Sequence, residues 1–169
     1  RRGPYANGAI VVPVKASETL FGGLEKQRSL EKAAFECGGK NYTAPAQSIK
    51  AFIENKTDSS PLSSTTYPCG LLPSNLHEWF DKEIAESLAE GFLNFEKKIP
   101  GFINEGLIIA PETRTSSPLR IPRHPDTLES LNTRGLFLLG EGAGYSGGIV
   151  TSAADGMRFA YRAKLSEKF

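Results

Sequence analysis

Cysteine, tryptophan, methionine and histidine are scarce in this chain, and charge of neither sign prevails. Among 169 residues there are two Cys (Cys37 and Cys69), one Trp, one Met and two His. Two cysteines without C-x-x-C spacing or a nearby histidine exclude a disulfide scaffold and argue against zinc. No metal is therefore expected, both thiols read as reduced, and a cytoplasmic location is expected. The formal charge is +1 at pH 7 with no dominant basic run. That removes the electrostatic footprint of a nucleic-acid binder. No apolar stretch approaches a membrane span and no signal peptide is visible, so neither nucleic acid nor membrane is expected as a partner. The chain opens on RRGPYANG without Met, which is compatible with a piece cut from something longer.

What is present is enough apolar residue to bury a core, 39% by count, in one domain or two small ones. Residues 8–17, GAIVVPVKAS, are valine-rich and read as a strand interrupted at Pro13. GGLEKQRSLEKAAFECGG carries helix formers with Gly38-Gly39 as a stop. Leu24, Gln27, Leu30, Ala34 and Cys37 recur on one face. NYTAPAQS, with Tyr42, Thr43 and Gln47, reads as a turn packed on that helix, and APAQSIKAFIENK as a weak short helix. TDSSPLSSTTYP is a polar loop. PSNLHEWFDKEIAESLAEGFLNFEKKIPG is the clearest helix, with Ser74 as N-cap, an apolar stripe at Leu76, Phe80, Ile84 and Leu88, and Pro100 as its end. His77 on it reads as a surface or hydrogen-bonded residue rather than a catalyst. Residues 107–110 and 119–121 read as strands. GLFLL, residues 135–139, reads as a buried strand bounded by glycines. The last helix follows, with Ile149, Ala153, Met157 and Ala160 on one face, and Asp155 and Arg158 as a solvated face or a pair along the helix.

The chemistry concentrates in GLFLLGEGAGYSGGIVTSAADG, residues 135–156. Residues 142–147 fit G-x-G-x-x-G. A dinucleotide-binding fingerprint needs a second parallel strand after the helix, ending near an acidic residue for the ribose. Here one helix follows and the sequence stops at Phe169, so the motif lacks its confirming context. The physics of the stretch survives. Gly135, Gly140, Gly142, Gly144, Gly147 and Gly148 exceed what a turn needs, and glycine admits close approach of a ligand. The helix start offers unpaired N–H groups to an anionic or electron-rich atom. Glu141 is placed to accept hydrogen bonds from ligand hydroxyls.

The same stretch resembles the C-terminal flavin-contacting segment of FAD-dependent oxidoreductases, closest to the uncharacterised family of FAD-dependent, or NAD(FAD)-utilizing, dehydrogenases. GLEKQRSLEKAAFECGGKNYTAPAQSI, EKKIPGF and ETRTSSPLRI fit the same family, so the likeness runs over residues 23–160. It implies a mixed α/β (α+β) chain of two parts. Residues 1–105 would be an inserted, cap-type substrate domain, and residues 106–169 the C-terminal strand–loop–helix piece of a Rossmann-like FAD domain. The N-terminal ADP-binding half of the family would be absent. By that resemblance Glu141 binds the ribityl chain. Gly142, Gly144, Tyr145, Gly147, Gly148 and Ile149 lie by the pyrophosphate or the pyrimidine edge, where a positive helix end stabilises reduced flavin.

ETRTSSPLRI adds Arg114, Thr115, Ser116 and Arg120 as residues that would orient an anionic substrate or the cofactor, since arginine forks a carboxylate or phosphate. A polar hairpin with surface arginines is the alternative. No G-x-S-x-G elbow precedes Ser116 or Ser117, and no catalytic acid, base or nucleophile is named. The reading is the C-terminal part of an FAD-dependent oxidoreductase acting on a small molecule, with NAD(P)H as a candidate reductant. Its expected partner is the absent FAD-binding half, without which FAD binds weakly or not at all. An exposed apolar patch is expected around residues 136–139 and the final helix. Two alternatives stay open: a non-catalytic binding or interaction domain, and a piece of a tRNA-modifying flavoprotein, whose basic surface the near-zero charge does not supply.

Overall fold

A computed structural model describes residues 3–15 and 18–166. The chain divides into two compact units, Arg1–Lys15 with Arg28–Thr113, and Ala16–Gln27 with Arg114–Phe169. Helix α1 (Gly22–Cys37) contains the boundary. Its expected apolar face is half-buried, and none of its residues is fully buried.

The first unit is built on a sheet of order β2-β1-β3. Central β1 (Ala44–Ser48) runs parallel to β2 (Leu71–Pro73) and antiparallel to β3 (Leu107–Ile109). The register pairs Ala46 with Pro73 on one side and Ile109 on the other. This corrects the reading of NYTAPAQS as a turn. Small residues let β1 be covered on both faces, with Ala44, Ala46 and Gln47 buried. Such a strand has no hydrophobic alternation to read, and Pro45 looks like a breaker.

Ser48 ends the strand and caps the short helix α2 (Ile49–Ile53) by accepting from Ala51 N. The Asp58 carboxylate holds Ser48 by both its N–H and its hydroxyl. The expected long helix is divided. A 3-10 turn at Leu76–Glu78 is capped by the Asn75 side chain, and α3 (Lys82–Lys98) begins after Trp79 leaves helical geometry. The break lets Trp79 and Phe80 pack on the core instead of continuing the helix. Asn75, rather than Ser74, is the residue that caps. One turn of helix α4 (Phe102–Glu105) follows α3. The Glu96 carboxylate accepts from Gly101 N and Ile103 N at the start of α4, and those bonds hold it below the usual glutamate range.

Ile49, Phe52, Leu76, Ala85, Leu88, Phe92 and Ala110 form the core, and Phe52 packs edge-on to Phe92 with ring centroids 5.8 Å apart. Gln47 is fully buried yet satisfied, donating to Lys56 O and accepting from Leu76 N. His77 is half-buried, stacked on Phe52, with Nε2 2.8 Å from Phe52 O. It is a half-buried, hydrogen-bonded residue, one of the two settings its place in the sequence suggested. Burial, with help from Glu36 and Glu78, pushes the Cys37 thiol up, so it stays protonated at neutral pH.

The second unit has one long helix, α5 (Ile149–Ser166), and irregular chain held by backbone bonds. The strands expected at residues 119–121 and 135–139 do not form. Isolated antiparallel bridges join Arg123 to Ser130 and Glu129 to Phe137 instead. Leu136 is 45% exposed, so GLFLL is not the buried strand that its composition suggests. Residues 8–15 likewise form no strand, while Ala16 and Ser17 of that reading lie outside the described residues. No helix among the described residues is long and apolar enough to cross a membrane.

Candidate functional site

The glycine turn lies in the second unit, where backbone and side chains of the same unit hold it from two directions. Gly140 takes a left-handed φ of 74° and donates its N–H to Asp155 on α5 at 2.9 Å. Tyr145 N returns to Gly140 O, and Gly144 N to Glu141 O. Ala143 is buried and its carbonyl accepts from Ile121 N. Arg120 Nε donates to Gly144 O at 3.0 Å. The turn is therefore stitched to residues 120–121 on one side and to α5 on the other.

Two kinds of glycine share this turn. Gly144 has φ 80°, and a Cβ there would lie 2.5 Å from Leu119 O and 2.9 Å from the Arg120 Cα. Internal packing alone requires it to be glycine. Gly142, Gly147 and Gly148 differ. A Cβ on any of them would meet nothing within 4 Å, and none has a positive φ. Neither conformation nor internal contact requires glycine there, so these positions leave bare backbone facing open space.

Beneath the turn is an ion pair that the sequence did not reveal. The Arg123 guanidinium meets both oxygens of Asp155 at 2.7 and 2.8 Å, with the two side chains 4% and 10% exposed. Arg123 also donates to Leu138 O. Its guanidinium carbon stands 3.7 Å from the centroid of the Tyr145 ring, and the Tyr145 hydroxyl accepts from Arg123 N. A planar guanidinium can serve a fork and a stack together, which an ammonium cannot. The hydrogen bond from Arg123 holds the Asp155 carboxyl below the usual aspartate range, and Asp155 raises Arg123 in return. Asp155 thus forks Arg123, and Arg158 on its own helix adds only a weaker favourable charge. Arg158 and Arg162 donate instead to Pro125 O.

Ser116, Ser117, Arg120, Gly144, Tyr145, Ser146 and Gly147 line an open cavity of about 310 Å³. Arg120 lies over the Tyr145 ring at 4.7 Å, and the Ser117 hydroxyl donates to Leu119 O. The cavity offers hydroxyls, a guanidinium and bare backbone, a donor set suited to a phosphate, carboxylate or carbonyl oxygen. Of the residues expected at a site, Ser116, Arg120, Gly144, Tyr145 and Gly147 meet here. Gly142 joins them only through its carbonyl, 3.3 Å from the Ser117 hydroxyl. Glu141, Arg114 and Thr115 are exposed and do not line the cavity, nor do Gly148 and Ile149. Ser117 and Ser146 were not singled out as site residues, and Arg123 was not foreseen as the partner of Asp155. Ser117 and Ser146 sit inside the two motifs already singled out. Arg123 carries no local signal, because its partner is 32 positions away.

These features define a mixed α/β protein whose glycine-rich turn and arginine-bearing loop form one polar, ligand-sized recess. The chain belongs to the family of FAD-dependent proteins, C-terminal domain-like, which it matches over residues 1–115. It is also 41% identical to an uncharacterized protein of Clostridium beijerinckii, over 97% of this chain and 31% of that protein. The likeness therefore continues beyond residue 115, and this chain spans about a third of that relative's length.

Proposed function

We propose that the chain is the C-terminal part of an FAD-dependent oxidoreductase, and that the turn at residues 140–148 contacts the flavin nucleotide. The observation that carries this reading is the set of glycines, Gly142, Gly147 and Gly148, that no feature of the chain itself requires. Glycine costs backbone entropy relative to alanine, roughly 0.5–1 kcal/mol in an ordered element. Bare backbone is useful where a ligand lies against it. The donor set of the neighbouring recess fits the group, since phosphate and the flavin pyrimidine edge both accept hydrogen bonds.

When bound, flavin supplies hydride and electron transfer. The chain's own residues bind and orient. Arg120 and the Ser116 hydroxyl hold an anionic or carbonyl oxygen, while the Ser117 hydroxyl is committed to Leu119 O. The start of α5 presents N–H groups with a partial positive charge. Glu141, exposed at the rim, accepts from ribityl hydroxyls, and Arg114 and Thr115 orient substrate from the same loop. In this reading residues 1–105 are the substrate-covering part and residues 106–169 belong to the FAD domain. The remaining polypeptide carries the ADP-binding half.

That polypeptide is also the proposed partner of α5. The helix turns Asp155 and Phe159 inward and leaves Ile149 91%, Val150 80%, Met157 72% and Tyr161 67% exposed. An apolar face of this kind marks an interaction surface, and a relative roughly three times as long as this chain supplies the occupant. The test is the visible absorption spectrum of the complete polypeptide and of this chain, each with and without added FAD. Flavin bands in the first and little in the second are expected. No flavin in either would remove the redox assignment and favour an interaction domain.

A further inference from the structure

Residues 8–15, GAIVVPVK, have the composition of a strand and none of its bonds. Ile10 and Val12 pack against the core of the first unit, while Val11 is 60% exposed between them. That is the alternation of an extended strand lying on a core. Yet the segment pairs with neither edge of the sheet, and residues 8–15 make no backbone hydrogen bond to any described residue. A groove of about 160 Å³ separates Val12–Lys15 from the start of α3, where Asp81, Glu83, Ile84 and Ser87 line it. This backbone is anchored by two side chains and left open to strand addition.

The two edges of the segment are not equivalent. In a strand the N–H and C=O of one residue point to the same edge, and alternate residues point to opposite edges. Pro13 has no N–H, so the edge carrying Val11, Pro13 and Lys15 lacks a donor at its middle. The edge carrying Ile10, Val12 and Val14 is complete.

We propose that residues 8–15 are a β-strand in the complete polypeptide, paired through Ile10, Val12 and Val14 with a strand supplied from outside this chain's sequence. The occupant is the rest of the same protein. The Clostridium relative has more than two thirds of its length beyond the matched part. β-branched residues that pack on one face and expose an unpaired edge are the pattern that strand addition completes. The inference rests on the reading of this chain as part of a longer protein. It does not rest on flavin binding.

The test is hydrogen–deuterium exchange, resolved to single amides, on the complete natural polypeptide and on this chain alone. The amides of Ile10, Val12 and Val14 are expected to exchange at least about a hundredfold more slowly in the complete protein. Val14 and Val11 are both exposed, at 56% and 60%, so proline at either leaves the core untouched. Val14→Pro, on the complete edge, is expected to abolish protection at Val12, and Val11→Pro to leave it. Unprotected amides in the complete protein would overturn the proposal. So would protection that appears in this chain alone as its concentration rises, since the partner strand would then be a second copy. Flavin content plays no part in either readout, so the two readings fail separately.

Discussion

The two units are held together by different physics. The first has an aromatic and aliphatic core around Phe52, a sheet, and a buried Gln47 satisfied by its neighbours. The second has one long helix that leaves Ile149, Val150, Met157 and Tyr161 exposed, and its irregular chain is organised by Arg123 and Asp155. Apolar burial is non-directional and makes a unit robust. A buried ion pair is directional: it fixes where a loop lies while adding little net stability over an apolar pair. The first unit thus reads as a body organised by its own core, and the second as a mount for a turn, with apolar side chains of α5 left exposed.

Substitutions at the two centres probe this contrast most strongly. Phe52→Ala empties the middle of the first core and is expected to cost about 3–5 kcal/mol. Trp79, the sole tryptophan, belongs to that unit, so urea unfolding followed by its fluorescence reports the loss directly. Asp155→Ala strands a buried guanidinium and is expected to cost the second unit about 3–5 kcal/mol. Faster proteolytic cleavage within residues 114–148 would register it.

The same pair gives the second unit an acid limit. The Asp155 carboxyl is held below its unfolded value. Its contribution is therefore fully present above about pH 4, the unfolded aspartate range, and is lost as pH falls through the lower folded value. The protection of the Gly140 amide relative to its intrinsic exchange rate, with Asp155 accepting that N–H, should fall in that window in the native protein and not in Asp155→Asn. An unchanged acid response in Asp155→Asn would assign the limit to other carboxylates.

Gly144→Ala combines a left-handed φ with a Cβ 2.5 Å from Leu119 O and is expected to cost roughly 2–4 kcal/mol. The smallest effect on stability belongs to the outer face of α5. Met157→Lys is expected to change folding stability by no more than about 0.5 kcal/mol. It should nevertheless reduce any concentration-dependent association of the isolated chain, measured by light scattering. Unaltered association would place the sticky surface elsewhere.

Legibility in the sequence cut across that division. The helices α1, α3 and α5 were visible because apolar periodicity and stop residues such as Gly38 and Pro100 act locally. The strand β1 was hidden because Ala44, Ala46 and Gln47 are buried without being hydrophobic in pattern. GLFLL misled in the opposite direction: its composition is that of a core strand, but Leu136 stays 45% exposed and no strand forms there. The glycine turn announced a site through its excess of glycine. The geometry then separated Gly144, needed for packing, from Gly147, needed for nothing internal. Arg123 was invisible because a guanidinium pairing across 32 positions leaves no spacing to read.

Gly147 gives the most direct test of the account. FAD is titrated onto the flavin-free complete polypeptide, native and Gly147→Val, with the unfolding midpoint measured on both. A Cβ at this position meets nothing within 4 Å in the chain itself, so the midpoint should hold. If the flavin nucleotide lies against this backbone, Kd should rise about tenfold or more, which is 1.4 kcal/mol. An unchanged Kd would contradict the claim that the turn contacts the cofactor.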